Sequence, residues 1–165
     1  MSEEILNIVG SNENVVRILS KDWVANGIVQ QTAFTLRDDE TYISVNRPTV
    51  ASYITDVASF IRRHKNFMSA EGSIFSYQRA NLNVGDVRGI SVVVDGQPLA
   101  IDVEVEPRDV FTKSHAGIFT RYGKKNVKAG STLAVSQEKN ISADMVLLKV
   151  RLALVRLSIV ETCYI

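Results

Sequence analysis

Two stretches decide the fold: PTVASYITDVASFIRRHK, residues 48–65, and VRGISVVVDGQPLAIDVEVEP, residues 87–107. In the first, Val50, Tyr53, Ile54, Val57, Phe60 and Ile61 recur at helical spacing. Ser52, Thr55, Asp56, Ser59, Arg62 and Arg63 fill the opposite side. Pro48 suits a first turn, where its missing N–H is no loss, and Arg62, Arg63 and Lys65 favour the negative end of the helix dipole. In the second stretch, Leu99, Ile101, Val103 and Val105 alternate with Ala100, Asp102, Glu104 and Glu106. That pattern predicts a strand with one buried and one acidic face, joined through the turn Asp95-Gly96-Gln97-Pro98 to a first arm at Val87–Val94 and stopped by Pro107.

Downstream, His115–Thr120 suggests a loop feeding another strand, and Arg121–Gly130 a mobile basic loop. The residues from about Ser142 favour a broad-striped, largely buried helix, and those past Leu157 an edge strand. Upstream, Ser20 can cap a single turn that Gly27 ends. Thr32–Leu36 and Tyr42–Val45 read as strands around the polar turn Arg37–Glu40. Val15–Leu19 fits a strand or a helix start, and residues 66–83 read as a long connection. With no repeat and no composition break, the expectation is one α+β domain over residues 1–165. It would have an antiparallel sheet of about five strands packed by two main helices.

Composition narrows the chemistry. The 165 residues are 45% hydrophobic and 22% charged, with 19 Lys+Arg against 18 Asp+Glu. These are values for a soluble globular chain, which at this length buries roughly 68–70% of its unfolded surface without help from metals or disulfides. Cys163 is the single cysteine, and with two histidines it cannot close a zinc site from soft ligands. An oxygen-ligand Mg²⁺ site stays open, but no metal or cofactor is expected. The acidic start Met1-Ser2-Glu3-Glu4 is unlike a secretory leader. Lys149, Arg151 and Arg156 break the most apolar run, each costing about 2.5–3.5 kcal/mol near a membrane helix centre. A cytoplasmic protein that does not enter the membrane is expected. Charge is uneven: residues 1–110 carry 10 basic and 15 acidic side chains, residues 111–165 carry 9 and 3. Such asymmetry fits either an acidic partner or two halves that attract each other.

Candidate functional residues follow. His115 sits at a strand mouth, where an imidazole can act as general base or acid with Asp109 or Asp102 as orienting carboxylate. The structural alternative is a histidine bonded to a backbone carbonyl. His64 is most simply a helix-end residue. Arg121, Tyr122, Lys124, Lys125 and Lys128 form a cationic cluster that could hold phosphates, with Tyr122 stacking on a base; the alternative is a solvated loop. Arg62 and Arg63 extend this patch only if the fold brings them together. Asp102, Glu104 and Glu106 share one strand face, as a solvated face requires. Cys163 has no adjacent cation to activate its thiol. No P-loop, G-x-G-x-x-G, G-x-S-x-G or H-E-x-x-H pattern occurs.

Trp23–Asn26, Ala33-Phe34, Tyr42-Ile43-Ser44-Val45-Asn46 and Ser114-His115-Ala116-Gly117-Ile118 together resemble a family of small bacterial proteins without assigned function. That family has a Leu/Ile-Ser-Val-Asn strand and a later Ser-His-Ala segment; Arg47 stands where it usually has Trp. The resemblance implies a bacterial source and a role for His115. Two functions are therefore carried forward. The first is a small cytoplasmic interaction or binding module, with a protein partner or a homodimer open. The second is an enzyme processing phosphodiesters of nucleic acid or nucleotides, using His115 and Asp109, with the 121–128 loop as phosphate clamp.

Overall fold

The apolar run near the N-terminus is a strand. In the computed structural model, which describes residues 8–108 and 112–165, the chain begins with β1 (Asn14–Leu19), β2 (Val24–Ala25), β3 (Ile28–Val29) and β4 (Ile43–Asn46). Helix α1 (Tyr53–Arg63) follows, then β5 (Ser69–Glu71), β6 (Ile74–Asn83) and α2 (Val84–Arg88). Next come β7 (Val93–Val94), β8 (Gln97–Pro98), β9 (Ile101–Pro107), β10 (His115–Tyr122) and β11 (Lys125–Asn126). The chain closes with β12 (Thr132–Ser136), β13 (Lys139–Ser142), α3 (Ala143–Leu157) and β14 (Ile159–Tyr164).

Eight strands form one antiparallel sheet, its main path running β11-β10-β4-β1-β6-β14, with β5 on β6 and β9 on β10. Strand β10 pairs with β9 along Ala116–Tyr122 and with β4 along His115–Ile118. Its last two residues pair with β11, which therefore continues the β4 side. The outer edges are β9 and β14. Between β1 and β4 the ladder narrows to one bridge, Val16↔Asn46, whereas β1 and β6 pair from Asn14↔Asn83 to Leu19↔Gln78.

The pleat sends Val15 and Leu19 to one face and Val16 and Ile18 to the other. On the first face, Ile43, Val45, Ala80, Leu82, Val103, Val105, Ala116 and Ile118 pack against α2 and α3 in the larger core. Helix α3 contributes Ala143, Val146, Leu147, Val150, Ala153 and Leu154. On the second face α1 lays Tyr53, Val57 and Ile61 on Val16, Ile18 and Tyr77. At roughly 1.5–3 kcal/mol per fully buried side chain, this packing holds a helix too short to persist alone. Ile54, placed on the same stripe by spacing, is 75% exposed.

The α+β architecture and the antiparallel sheet agree with the sequence, but among the described residues the sheet has eight strands, not about five, and there are three α-helices, not two. Residues 66–83 are not a connection: they carry β5 and the ten-residue β6. The hairpin around Asp95-Gly96 is present but short: β7 pairs with β8 (Val93↔Pro98, Val94↔Gln97), while the start of the expected Val87–Val94 arm belongs to helix α2. Asn83 caps α2 there by accepting from the Asp86 N–H at 2.9 Å, and β9 finds its partner in β10 instead. Thr32–Leu36 is largely a 3₁₀ turn (Gln31–Phe34), and Gly27 (φ +75°) serves the β2–β3 turn, not a helix end. Pro48 precedes α1 in a turn closed by Val50 N–H to Arg47 C=O at 3.1 Å. The edge strand expected past Leu157 is present as β14. No helix among the described residues is long and apolar enough to cross a membrane.

Candidate ligand-binding groove

Strand β4 carries Ser44 and Asn46 on the α1 face, and its partner β10 carries His115 and Gly117 beside them, in register His115↔Asn46 and Gly117↔Ser44. The two short motifs, Ser-Val-Asn and Ser-His-Ala, are thus neighbours on adjacent strands. Ser114, fully buried, ties them to the helix. Its hydroxyl donates to Asp56 Oδ2 at 2.5 Å and accepts from Asn46 Nδ2 at 3.0 Å, and the same carboxylate oxygen takes Ser52 Oγ at 2.9 Å. A hydroxyl buried and committed in this way is a clasp between α1 and the sheet, not a nucleophile.

Beside this clasp lies a groove of about 600 Å³. Its floor is Arg17, Ser44, Asn46 and His115. Its walls are Asp56, Phe60, Arg63 and His64 from α1, and Trp23, Arg37 and Phe67 opposite. The rim is aromatic: Trp23 meets Phe67 edge-on at 5.4 Å, and Phe67 meets Phe60 at 5.0 Å.

Arg17 is the unusual member. The β1–β4 gap opens beside it, and its guanidinium spans that gap, donating to Ala33 C=O at 3.0 Å and Ser44 C=O at 2.9 Å. It also stacks on Trp23 at 4.9 Å. Arg47, Arg79, Arg88 and Arg121 each pair with a glutamate. Arg17 has no carboxylate within ion-pair distance among the described residues. Burial lowers its pKa to about 10, with the Glu40 charge opposing and the Arg37 charge assisting. Holding a partly desolvated cation without a counter-ion is costly. The acids of the groove are occupied elsewhere: Asp56 in the clasp, and Glu40 on the backbone N–H of Arg37 at 2.9 Å. Arg63 spends one donor on Ser59 C=O. Sequence reasoning passed over Arg17; the available signal was a lone charge inside the apolar run Val15–Leu19.

His115 opens β10 at the groove. Burial lowers its pKa, opposed by a hydrogen bond to the Arg108 backbone and assisted by the Arg108 and Arg17 charges, so the neutral imidazole is favoured. Asp109, its candidate orienting carboxylate, lies outside the described residues. Asp102 pairs with Arg121, six residues along β10 from His115, about 20 Å at strand rise. His64 packs its ring on Phe60 at 4.7 Å at the end of α1, the structural role expected, and also lines the groove.

The cationic cluster lies at the far end of β10. Seven strand steps separate His115 from Tyr122, about 23 Å. Arg121 is held bidentately by Glu106 at 2.6 and 2.8 Å, which keeps that carboxyl below its usual range despite partial burial. Tyr122, the next residue, points to the opposite face and packs on the larger core. Gly123 and Lys124 form the turn into β11, and Lys124, Lys125 and Lys128 are exposed. Arg63 lines the groove, while Arg121 and Lys124 line a separate depression with Arg88 and Glu104, so the patches do not merge. Of the strand acids, Glu104 and Glu106 pair with Arg88 and Arg121. No group of three His, Cys, Asp or Glu among the described residues is placed to hold a metal ion.

Gly117 is required by its surroundings. A Cβ built on it would lie 2.6 Å from Tyr42 Cδ2 and 2.8 Å from Cγ. The Tyr42 ring sits against this glycine between His115 (5.9 Å) and Phe119 (5.2 Å), with the Arg108 guanidinium over it at 5.1 Å. Gly117→Ala should therefore displace Tyr42 and lower stability by about 1–3 kcal/mol, the usual cost of overpacking. Urea unfolding measures it; an unchanged midpoint would mean Tyr42 moves aside freely.

Compared with models of protein families, with curated proteins and with solved structures, the chain matches none.

Proposed function

We propose that this protein is a binding module without catalysis of its own, and that it holds a small organic anion in the groove between α1 and the sheet. The observation that carries this is Arg17, a half-buried guanidinium at the groove floor with no carboxylate within ion-pair distance among the described residues. An anion there supplies the missing counter-charge, and guanidinium forks suit carboxylate and phosphate. Arg63 adds a second cation, and Trp23, Phe60 and Phe67 favour a ligand with a planar body. The phosphodiester-processing alternative has less behind it, because base and phosphate clamp would have to work from opposite ends of one strand. A cytoplasmic setting belongs to the same proposal and is supported by the single cysteine.

Trp23, the one tryptophan, lines the groove and reports on it. Titration with benzoate and with adenosine monophosphate should give a saturable change in its fluorescence and a rise in melting temperature by mass action. Arg17→Met should weaken binding at least tenfold, on the order of 1.4 kcal/mol or more. Arg63→Ala should weaken it severalfold at unchanged stability. Binding that survives Arg17→Met, or no response to either anion, would overturn the proposal.

A further inference from the structure

The two edges of the sheet are treated differently. At β9, Arg88 of α2 closes the edge: Nη2 donates to Val105 C=O at 3.1 Å and to Val9 C=O at 2.7 Å, and Nε engages Glu104. The outer side of β14 is paired with nothing among the described residues. Its sequence, Ile159-Val160-Glu161-Thr162-Cys163-Tyr164, has no Lys, Arg, Pro or Gly to discourage another strand. Ile159 is 68% exposed, Tyr164 73% and Ile165 51%, and beside them at the start of β6 Ile74 is 58% exposed.

The hydrogen-bond parity of this edge is fixed. Ile165 N–H donates to Phe75 C=O at 3.0 Å, and the two residues are directly opposite in the β14–β6 register. Odd-numbered residues of β14 therefore turn their backbone groups toward β6, while Val160, Thr162 and Tyr164 turn theirs outward. A two-fold axis at Thr162 uses that parity. It sets Thr162 against its own copy, Val160 against Tyr164 and Ile159 against Ile165, and makes about six new backbone hydrogen bonds. Glu161, the only charged residue of β14, meets Cys163 and is already paired with Arg79 at 3.1 Å. Sliding two residues one way opposes Glu161 to Glu161; sliding the other way shortens the ladder.

We infer that β14 is a self-association edge, through which a second copy of this chain extends the sheet in antiparallel register about Thr162. Ile159, Val160, Tyr164 and Ile165 then each meet an apolar side chain, and the unpaired edge disappears.

Sedimentation velocity of the full chain should show a species of twice the 18.3 kDa chain mass. Thr162→Pro removes an outward N–H at the axis and no bond to β6, so it should give monomer with little change in melting temperature. Thr162→Lys opposes two ammonium groups across the axis and should also give monomer, which guards against a proline variant that fails to fold. A wild-type monomer at all concentrations, or a dimer that survives both substitutions, would overturn the inference. So would ready oxidative cross-linking through Cys163, because that places the axis at residue 163.

Discussion

Glu13→Ala should destabilise the fold by about 3–5 kcal/mol, the cost of breaking a buried ion pair from one side. Arg47 is 1% exposed, and Glu13 takes its Nε at 3.0 Å and its Nη2 at 3.0 Å. The same carboxylate accepts from Gly10 N–H at 2.8 Å and Thr49 Oγ1 at 3.1 Å, so it fastens the turn before β1 to the end of β4. Truncation leaves the arginine enclosed without this carboxylate, and the urea midpoint should fall with the slope unchanged. The pH dependence has a definite sign. Burial pushes the Glu13 carboxyl up, but the Arg47 hydrogen bond and charge and the Gly10 and Thr49 donors outweigh it and hold it low. Its stabilisation is therefore complete above the ordinary carboxyl range and is lost as pH falls through the lowered value. Glu106 titrates in the same direction, so the test is the difference between wild type and Glu13→Gln: the variant should lose less stability on acidification. Parallel acid curves would remove the assignment.

Asp56→Ala should cost about 2–3 kcal/mol, since a charged acceptor of several hydrogen bonds is lost and its donors stay behind. Three donors converge on Oδ2: the Ser114 hydroxyl, the Ser114 N–H at 3.3 Å and the Ser52 hydroxyl. Ser114 is buried, so its hydroxyl has no water to turn to, and the Asn46 amide behind it loses its fixed acceptor. Because this clasp sets the distance between α1 and β10, the Trp23 emission of the folded variant should also change. Asp56→Asn, which keeps an acceptor, should fall between the two. Wild-type stability in Asp56→Ala would mean that apolar packing alone seats α1.

Why some elements were legible and others not follows from what each face touches. Helix α1 and strand β9 declare themselves because each has one apolar and one solvated side. Strand β6 does not, because Tyr77, Arg79 and Asn81 on its α1 face form a polar network. Tyr53 and Tyr77 hydroxyls meet at 3.0 Å, and Glu161 takes both Arg79 and Asn81. A central strand with such partners reads as a polar connection until they are known. Helix α2 was hidden because five residues cannot show a helical period and its valines mimic a strand. In the groove, His115 was visible as a histidine at a strand mouth. Arg17 was not, since its acceptors are carbonyls 16 and 27 residues away, and carbonyls leave no mark on a sequence. The basic loop misled through adjacency: Arg121 and Tyr122 are consecutive in a strand and therefore face opposite ways.

The single bridge between β1 and β4 has a consequence for how the molecule opens. One residue pair joins β9, β10 and β4 to β1, β6 and β14, where the neighbouring ladders have several. Local unfolding favours weakly reinforced boundaries, and of the sheet's ladders this one has the fewest pairs, its gap at the groove floor spanned by the Arg17 side chain. Breathing along this seam would draw Arg17 away from the Ser44 carbonyl and widen the groove together. Ligand entry and the lowest-energy fluctuation of the sheet would then be the same motion, and an anion bound at Arg17 would act as a rivet between the two halves.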